Sequence, residues 1–149
     1  MRKPVSGKRP LLDTNVLIER DIPPSILAKV YFSSVVLYEL TAANIDNSTF
    51  KRYASWRTTY ADRLLTPTSQ DWFECSKIIR NLLQGSKSRA KGYPGKITSA
   101  QQQQNDALIA RTASLHNCFV VTNNVRDFAR FEPYMQGMVV VPSDDFFDD

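Results

Sequence analysis

Short apolar runs alternate with longer amphipathic ones along this chain. Arg9–Asp13 (RPLLD), Phe32–Val36 (FSSVV), Leu64–Thr66, Cys118–Thr122 (CFVVT) and Met138–Val141 (MVVV) are too short for helices and bounded by turn-type residues, so they read as buried strands. Helical patterns lie between them. Thr14–Glu19 starts behind Asp13 or Thr14 as N-cap, and Ser25–Tyr31 follows Pro23 and Pro24. Leu37–Ala43, Thr49–Arg63, Ser69–Leu83 and Asn105–Leu115 follow, and Val125–Phe131 is a short helix or turn. In the fourth of these helices Phe50, Tyr53, Trp56 and Tyr60 recur at offsets of three, three and four, which places them on one face directed at the core. Ser69–Leu83 takes Ser69 as N-cap and Trp72, Phe73, Ile79, Leu82 and Leu83 as its apolar positions. Strands alternating with helices predict a three-layer α/β/α arrangement around a mostly parallel sheet. In such sheets ligands bind outside the carboxyl ends of the strands.

Two segments break the alternation. Residues 85–104 (GSKSRAKGYPGKITSAQQQQ) hold three of the five glycines and a glutamine run, and read as a long loop. Lys87, Arg89, Lys91 and Lys96 in it are candidates for gripping phosphates, and a solvated loop accounts for them as well. Residues 142–149 form an acidic, aromatic tail that reads as a frayed, solubilising end, with folding back as a phosphate mimic the second reading. The expected organisation is a single domain with a core at about residues 10–141.

Composition narrows the chemistry. The 149 residues hold a single histidine, His116, and two cysteines, Cys75 and Cys118, which excludes multi-histidine metal sites, zinc knuckles and a disulfide framework. No apolar run is long enough to span a membrane and no signal-peptide core follows the basic N-terminus, so a cytoplasmic protein is expected. The net charge is +4, but four of the 15 acids lie in the last six residues; the rest carries 19 basic against 11 acidic side chains, or +8. A basic body suits a phosphate-bearing partner.

Four of the few remaining acids fall in otherwise apolar segments near strand ends: Asp13, Glu39, Asp106 and Asp127. Singly, Asp13 is explained as an N-cap, Asp106 by the positive end of its helix, and Asp127 as a turn cap. Glu39 resists such an account, because Val35, Val36, Leu37, Tyr38 and Leu40 surround it. If the four converge, their mutual repulsion calls for a cation. Oxygen donors without His or Cys select Mg²⁺ or Mn²⁺, and such ions activate water for attack on a phosphodiester.

Leu11–Glu19 (LLDTNVLIE), Ser33–Leu40 (SSVVLYEL), Asn105–Ala113 (NDALIARTA) and Phe119–Phe128 (FVVTNNVRDF) resemble, in order and spacing, the four acidic motifs of the PIN domain. Length and the segment before the third motif resemble VapC-type toxin ribonucleases of toxin–antitoxin operons. The resemblance implies a PIN-like fold and a Mg²⁺-dependent (or Mn²⁺-dependent) endoribonuclease acting on RNA. It makes Asp13, Glu39, Asp106 and Asp127 both the metal ligands and the catalytic residues, with Asn15, Thr122 and Asn124 as supporting polar groups. At Asn123 the family often has arginine, so a substrate contact there is lost. The resemblance also implies a homodimer silenced by a cognate antitoxin protein. Two alternatives are a housekeeping PIN nuclease that processes RNA, and a non-catalytic RNA-binding module, to which Glu39 would be superfluous.

Overall fold

A computed structural model describes residues 7–84 and 97–148, with the backbone alone at residues 97–99 and 102. Three strands, β1 (Arg9–Leu12), β4 (Cys118–Thr122) and β5 (Val140–Pro142), pair in parallel in the order β1-β4-β5. A parallel pair of two-residue strands, β2 (Phe32–Ser33) and β3 (Leu64–Leu65), lies beyond β1, linked to it by a bridge between Leu11 and Tyr31. Parallel pairing requires a crossover between partners, and helices supply it. They are α1 (Thr14–Glu19), α2 (Pro24–Leu27), α3 (Ser34–Ala42), α4 (Asn47–Thr59), α5 (Ser69–Gln84), α6 (Ile97–Leu115), α7 (Val125–Ala129) and α8 (Ser143–Phe147). The expected α/β class with a parallel sheet is what the chain adopts.

Burial follows the strand reading. All five residues of β4 are buried, as are Leu11 and Leu12 of β1 and the Ala107–Ala110 stretch of α6. The aromatic face of α4 closes over β2: the Phe32 and Tyr60 rings stack with centroids 4.4 Å apart, and Trp56 lies 5.4 Å from Phe32. Phe50 departs from that face and is exposed. Cys75 and Cys118 are buried free thiols, and burial pushes both up to about 11, which leaves them unreactive.

Several expectations are corrected. FSSVV is a strand for two residues only, because the Ser33 hydroxyl accepts the backbone N–H groups of Val35 and Val36 and opens α3. The piece expected at Ser25–Tyr31 is the single turn of α2. Ser69 does not cap α5. Thr68 and Asp71 do so reciprocally, the Thr68 N–H donating to Asp71 Oδ2 at 2.8 Å and the Asp71 N–H to Thr68 Oγ1 at 3.2 Å. Trp72 and Phe73 are exposed; Ile79 is buried as expected, joined by Cys75 and Ile78.

Residues 97–104 belong to α6 rather than to a loop, since glutamine is a good helix former and here extends an apolar helix backwards. Lys87, Arg89, Lys91 and Lys96 lie outside the described residues. The tail is no frayed end: Phe146 is buried against Phe119, at a centroid distance of 6.0 Å, and winds residues 143–147 into α8.

Candidate active site

β1 and β4 are neighbours in parallel, so their carboxyl ends meet at one edge of the sheet. Asp13 follows β1 there as the N-cap of α1, its Oδ1 accepting the Thr14 N–H at 2.8 Å. Thr122, the last residue of β4, is buried and donates its hydroxyl to Asp13 Oδ2 at 2.8 Å. The same hydroxyl accepts the Asn124 N–H at 2.9 Å, and Asn124 in turn receives the Asp127 N–H on its carbonyl at 3.1 Å. One threonine therefore ties the first acid to the turn that carries the fourth. Asn15 accepts the Asn123 N–H at 3.3 Å and fastens the end of β4 to α1. Asn15 and Thr122, expected as supporting polar groups, thus act through their side chains, whereas Asn124 acts through its backbone.

Glu39 stands in the middle of α3, with its carboxylate spanned by two donors: Thr14 Oγ1 at 2.6 Å on Oε1 and Asn105 Nδ2 at 3.3 Å on Oε2. Asp106 lies well inside α6, so the helix-end account of it no longer applies. Arg130 Nη2 approaches Asp106 Oδ2 at 3.7 Å while its guanidinium lies over Phe131, 5.0 Å from the ring centroid. Arg130 Nε is buried and finds no hydrogen-bond partner among the described residues. Thr14, Asn105 and Arg130 escaped the sequence reading. The first two are immediate neighbours of Asp13 and Asp106, a signal that was available; nothing in the sequence sets Arg130 apart from the other basic residues.

The four acids share one electrostatic neighbourhood. Burial raises the Asp106 carboxyl to about 7, helped by the charges of Asp13, Glu39 and Asp127, with Arg130 opposing. Burial also raises Asp13, against the hydrogen bonds from Thr122 and Thr14, and Glu39 and Asp127 add to the rise. Such mutually repelling oxygen donors suit a hard divalent cation. They do not form a ready-made cage: among the described residues, no three Asp, Glu, His or Cys side chains are close enough to hold one ion together. Oxygens of Asp13, Glu39 and Asp106 are engaged by Thr14, Asn105, Thr122 and Arg130. A cation fits the chemistry of the set, and its entry has these four residues as competitors.

No protein-family model matches the chain, and no curated protein sequence matches it. Solved structures do. A chain of the DNA-bound VapBC complex from Salmonella typhimurium is 22% identical with a TM-score of 0.54, over 91% of this chain and 98% of that one. A chain of FitAB bound to the IR36 DNA fragment is 24% identical with a TM-score of 0.55, over 90% and 94%. A chain of VapBC-1 from nontypeable Haemophilus influenzae is 19% identical with a TM-score of 0.52, over 90% and 97%. Over nearly its whole length, then, the chain has the fold of these VapBC and FitAB chains, the one its four acidic motifs led us to expect.

Proposed function

We propose that this protein is a metal-dependent endoribonuclease, the toxin of a toxin–antitoxin pair. The observation that carries the reading is the site itself: acids from four separate segments share one neighbourhood, in which burial and the charges of the other acids raise the carboxyls of Asp13 and Asp106. A fold shared with VapBC and FitAB complexes supports the toxin role and an antitoxin protein as partner. A housekeeping nuclease has no comparable support. No helix among the described residues is long and apolar enough to cross a membrane. We also infer a cytoplasmic, homodimeric protein organised as one domain.

Asp13, Glu39, Asp106 and Asp127 would hold Mg²⁺ or Mn²⁺, and the ion would supply charge neutralisation and an activated water for phosphodiester attack. The chain's own residues prepare for it. Thr122 and the Thr14 N–H fix the orientation of Asp13, and Thr14 and Asn105 fix Glu39. Arg130 offsets the charge of Asp106. The basic body draws in RNA by its phosphates, with Lys87, Arg89, Lys91 and Lys96 as grips.

The test is RNA cleavage in Mg²⁺ or Mn²⁺, with an EDTA control, for the wild type and Asp13→Asn. Cleavage is expected only with metal, and Asp13→Asn is expected to lose more than the roughly 10–100-fold typical of outer supporting groups. Growth arrest on expression, relieved by the same substitution, separates a toxin from a binding module. Undiminished cleavage by Asp13→Asn would end this reading.

A further inference from the structure

A second polar cleft, about 560 Å³ in volume, opens beside the four acids, and Thr122 is common to both. Its walls are Glu19 and Arg20 at the end of α1, Asn123 after β4, and Ser143 and Asp144 at the start of α8. These side chains are linked in sequence: the Ser143 hydroxyl donates to Asn123 Oδ1, and Asn123 Nδ2 donates to Glu19. Arg20 pairs with Asp144 and lies over the Phe147 ring, 4.7 Å from its centroid. The cleft therefore exists because Phe146 anchors α8 against the sheet; a loose tail would leave no outer wall.

We propose that this cleft receives a base of the RNA next to the cleaved phosphodiester, and that it prefers guanine. The proposal rests on the ribonuclease reading of the adjoining acids. Charge argues for a base over a phosphate. The cleft holds one cation, Arg20, against two carboxylates, Glu19 and Asp144, so a phosphate entering it would face net repulsion. A neutral base meets no such barrier, and the cleft has room for one.

The hydrogen-bonding groups select among bases. A carboxylate accepts at both oxygens, and Asn123 takes one position on Glu19. Guanine presents two adjacent N–H donors on its Watson–Crick edge, a match for a carboxylate, while its O6 and N7 match the fork of an arginine. Adenine and cytosine offer a single amino group there, and uracil a single N–H. Adjacency to the acids is built into the backbone: Asn123 directly follows Thr122, whose hydroxyl holds Asp13.

The test is nuclear magnetic resonance of the ¹⁵N-labelled full chain in EDTA, following the Asn123 side-chain amide and the Ser143 backbone amide. The probes are the four ribonucleoside 5′-monophosphates, with inorganic phosphate as the anion control. GMP is expected to shift both signals at a concentration at least about tenfold below UMP, phosphate to leave them in place, and Glu19→Gln, an exposed position, to erase the preference. Equal shifts from all probes, phosphate included, would overturn the proposal in favour of an anion site, and no shifts would overturn it outright. RNA cleavage by the same protein, freed of EDTA and supplied with Mg²⁺ or Mn²⁺, keeps the two readings apart. Cleavage without a selective GMP shift removes the base cleft and keeps the nuclease. A selective shift without cleavage keeps the cleft and removes the nuclease.

Discussion

Asp13 and Asp71 are equally buried, each 4% exposed, and the protein treats them in opposite ways. Asp71 accepts Arg111 Nε at 2.7 Å and the Thr68 N–H at 2.8 Å. Burial pushes its carboxyl upward, but these hydrogen bonds and the Arg111 charge outweigh it and leave it below its ordinary value. Burial raises Asp13, whose hydrogen-bond donors are all neutral, and the carboxylates of Glu39, Asp106 and Asp127 lie close by. The first arrangement joins α5 to α6 and completes itself. The second gathers carboxylates that repel one another at a sheet edge, and the proposed metal site rests on that difference.

Breaking the self-contained pair gives the largest expected effect. Arg111→Leu strands a buried carboxylate and is expected to cost roughly 3–5 kcal/mol in urea unfolding. Asp13→Asn in EDTA is expected to cost little or to stabilise, since it removes a repelling charge. If the two variants are equally destabilised, the contrast between the two aspartates is void.

Thr122→Val comes next. It takes the hydroxyl from Asp13 Oδ2 and from the Asn124 N–H, and is expected to cost about 1.5–3 kcal/mol in the same measurement. Cleavage is expected to fall by roughly 10–100-fold in parallel.

The smallest effect sharpens the comparison through pH. The folded Asp106 carboxyl sits at about 7 against an ordinary 3.8, so between those values the folded chain binds the extra proton and its stability falls as pH rises. Asp106→Asn removes that loss. Metal-free Asp106→Asn is expected to gain roughly 1–3 kcal/mol over the wild type at pH 8, a figure reduced for partial exposure, and nothing at pH 4. A gain independent of pH would show that packing, and not charge, sets the difference.

How much of this was legible in the sequence varied with the range of the interaction. β1 and β4 were readable because a wholly buried strand is apolar throughout, and the acids of the site stood out against such segments. The Ser33 cap was harder: a serine inside FSSVV fits a strand by composition, and only its hydroxyl bonds to Val35 and Val36 end the strand. Glutamines at 101–104 read as spacer by their polarity, yet glutamine is a good helix former and they continue α6. Trp72 and Phe73 fit an apolar face by type, yet the helix phase that buries Cys75, Ile78 and Ile79 turns them outward. Arg130, the Asp71–Arg111 pair and the wall formed by α8 depend on contacts between distant segments, which no local pattern records.

The hydrogen bond from Thr122 to Asp13 closes a span of 109 residues, and it imposes an order in time. β1 leaves the ribosome long before its partner β4, and at synthesis rates of about 5–20 residues per second the wait is roughly 5–20 s. During that interval Asp13 has neither Thr122 nor the neighbouring strand to hold it. A chain stopped before residue 118 carries three of the four acids and lacks the strand that pairs with β1. Any chemistry these four acids perform therefore waits on a segment made 109 residues after the first of them.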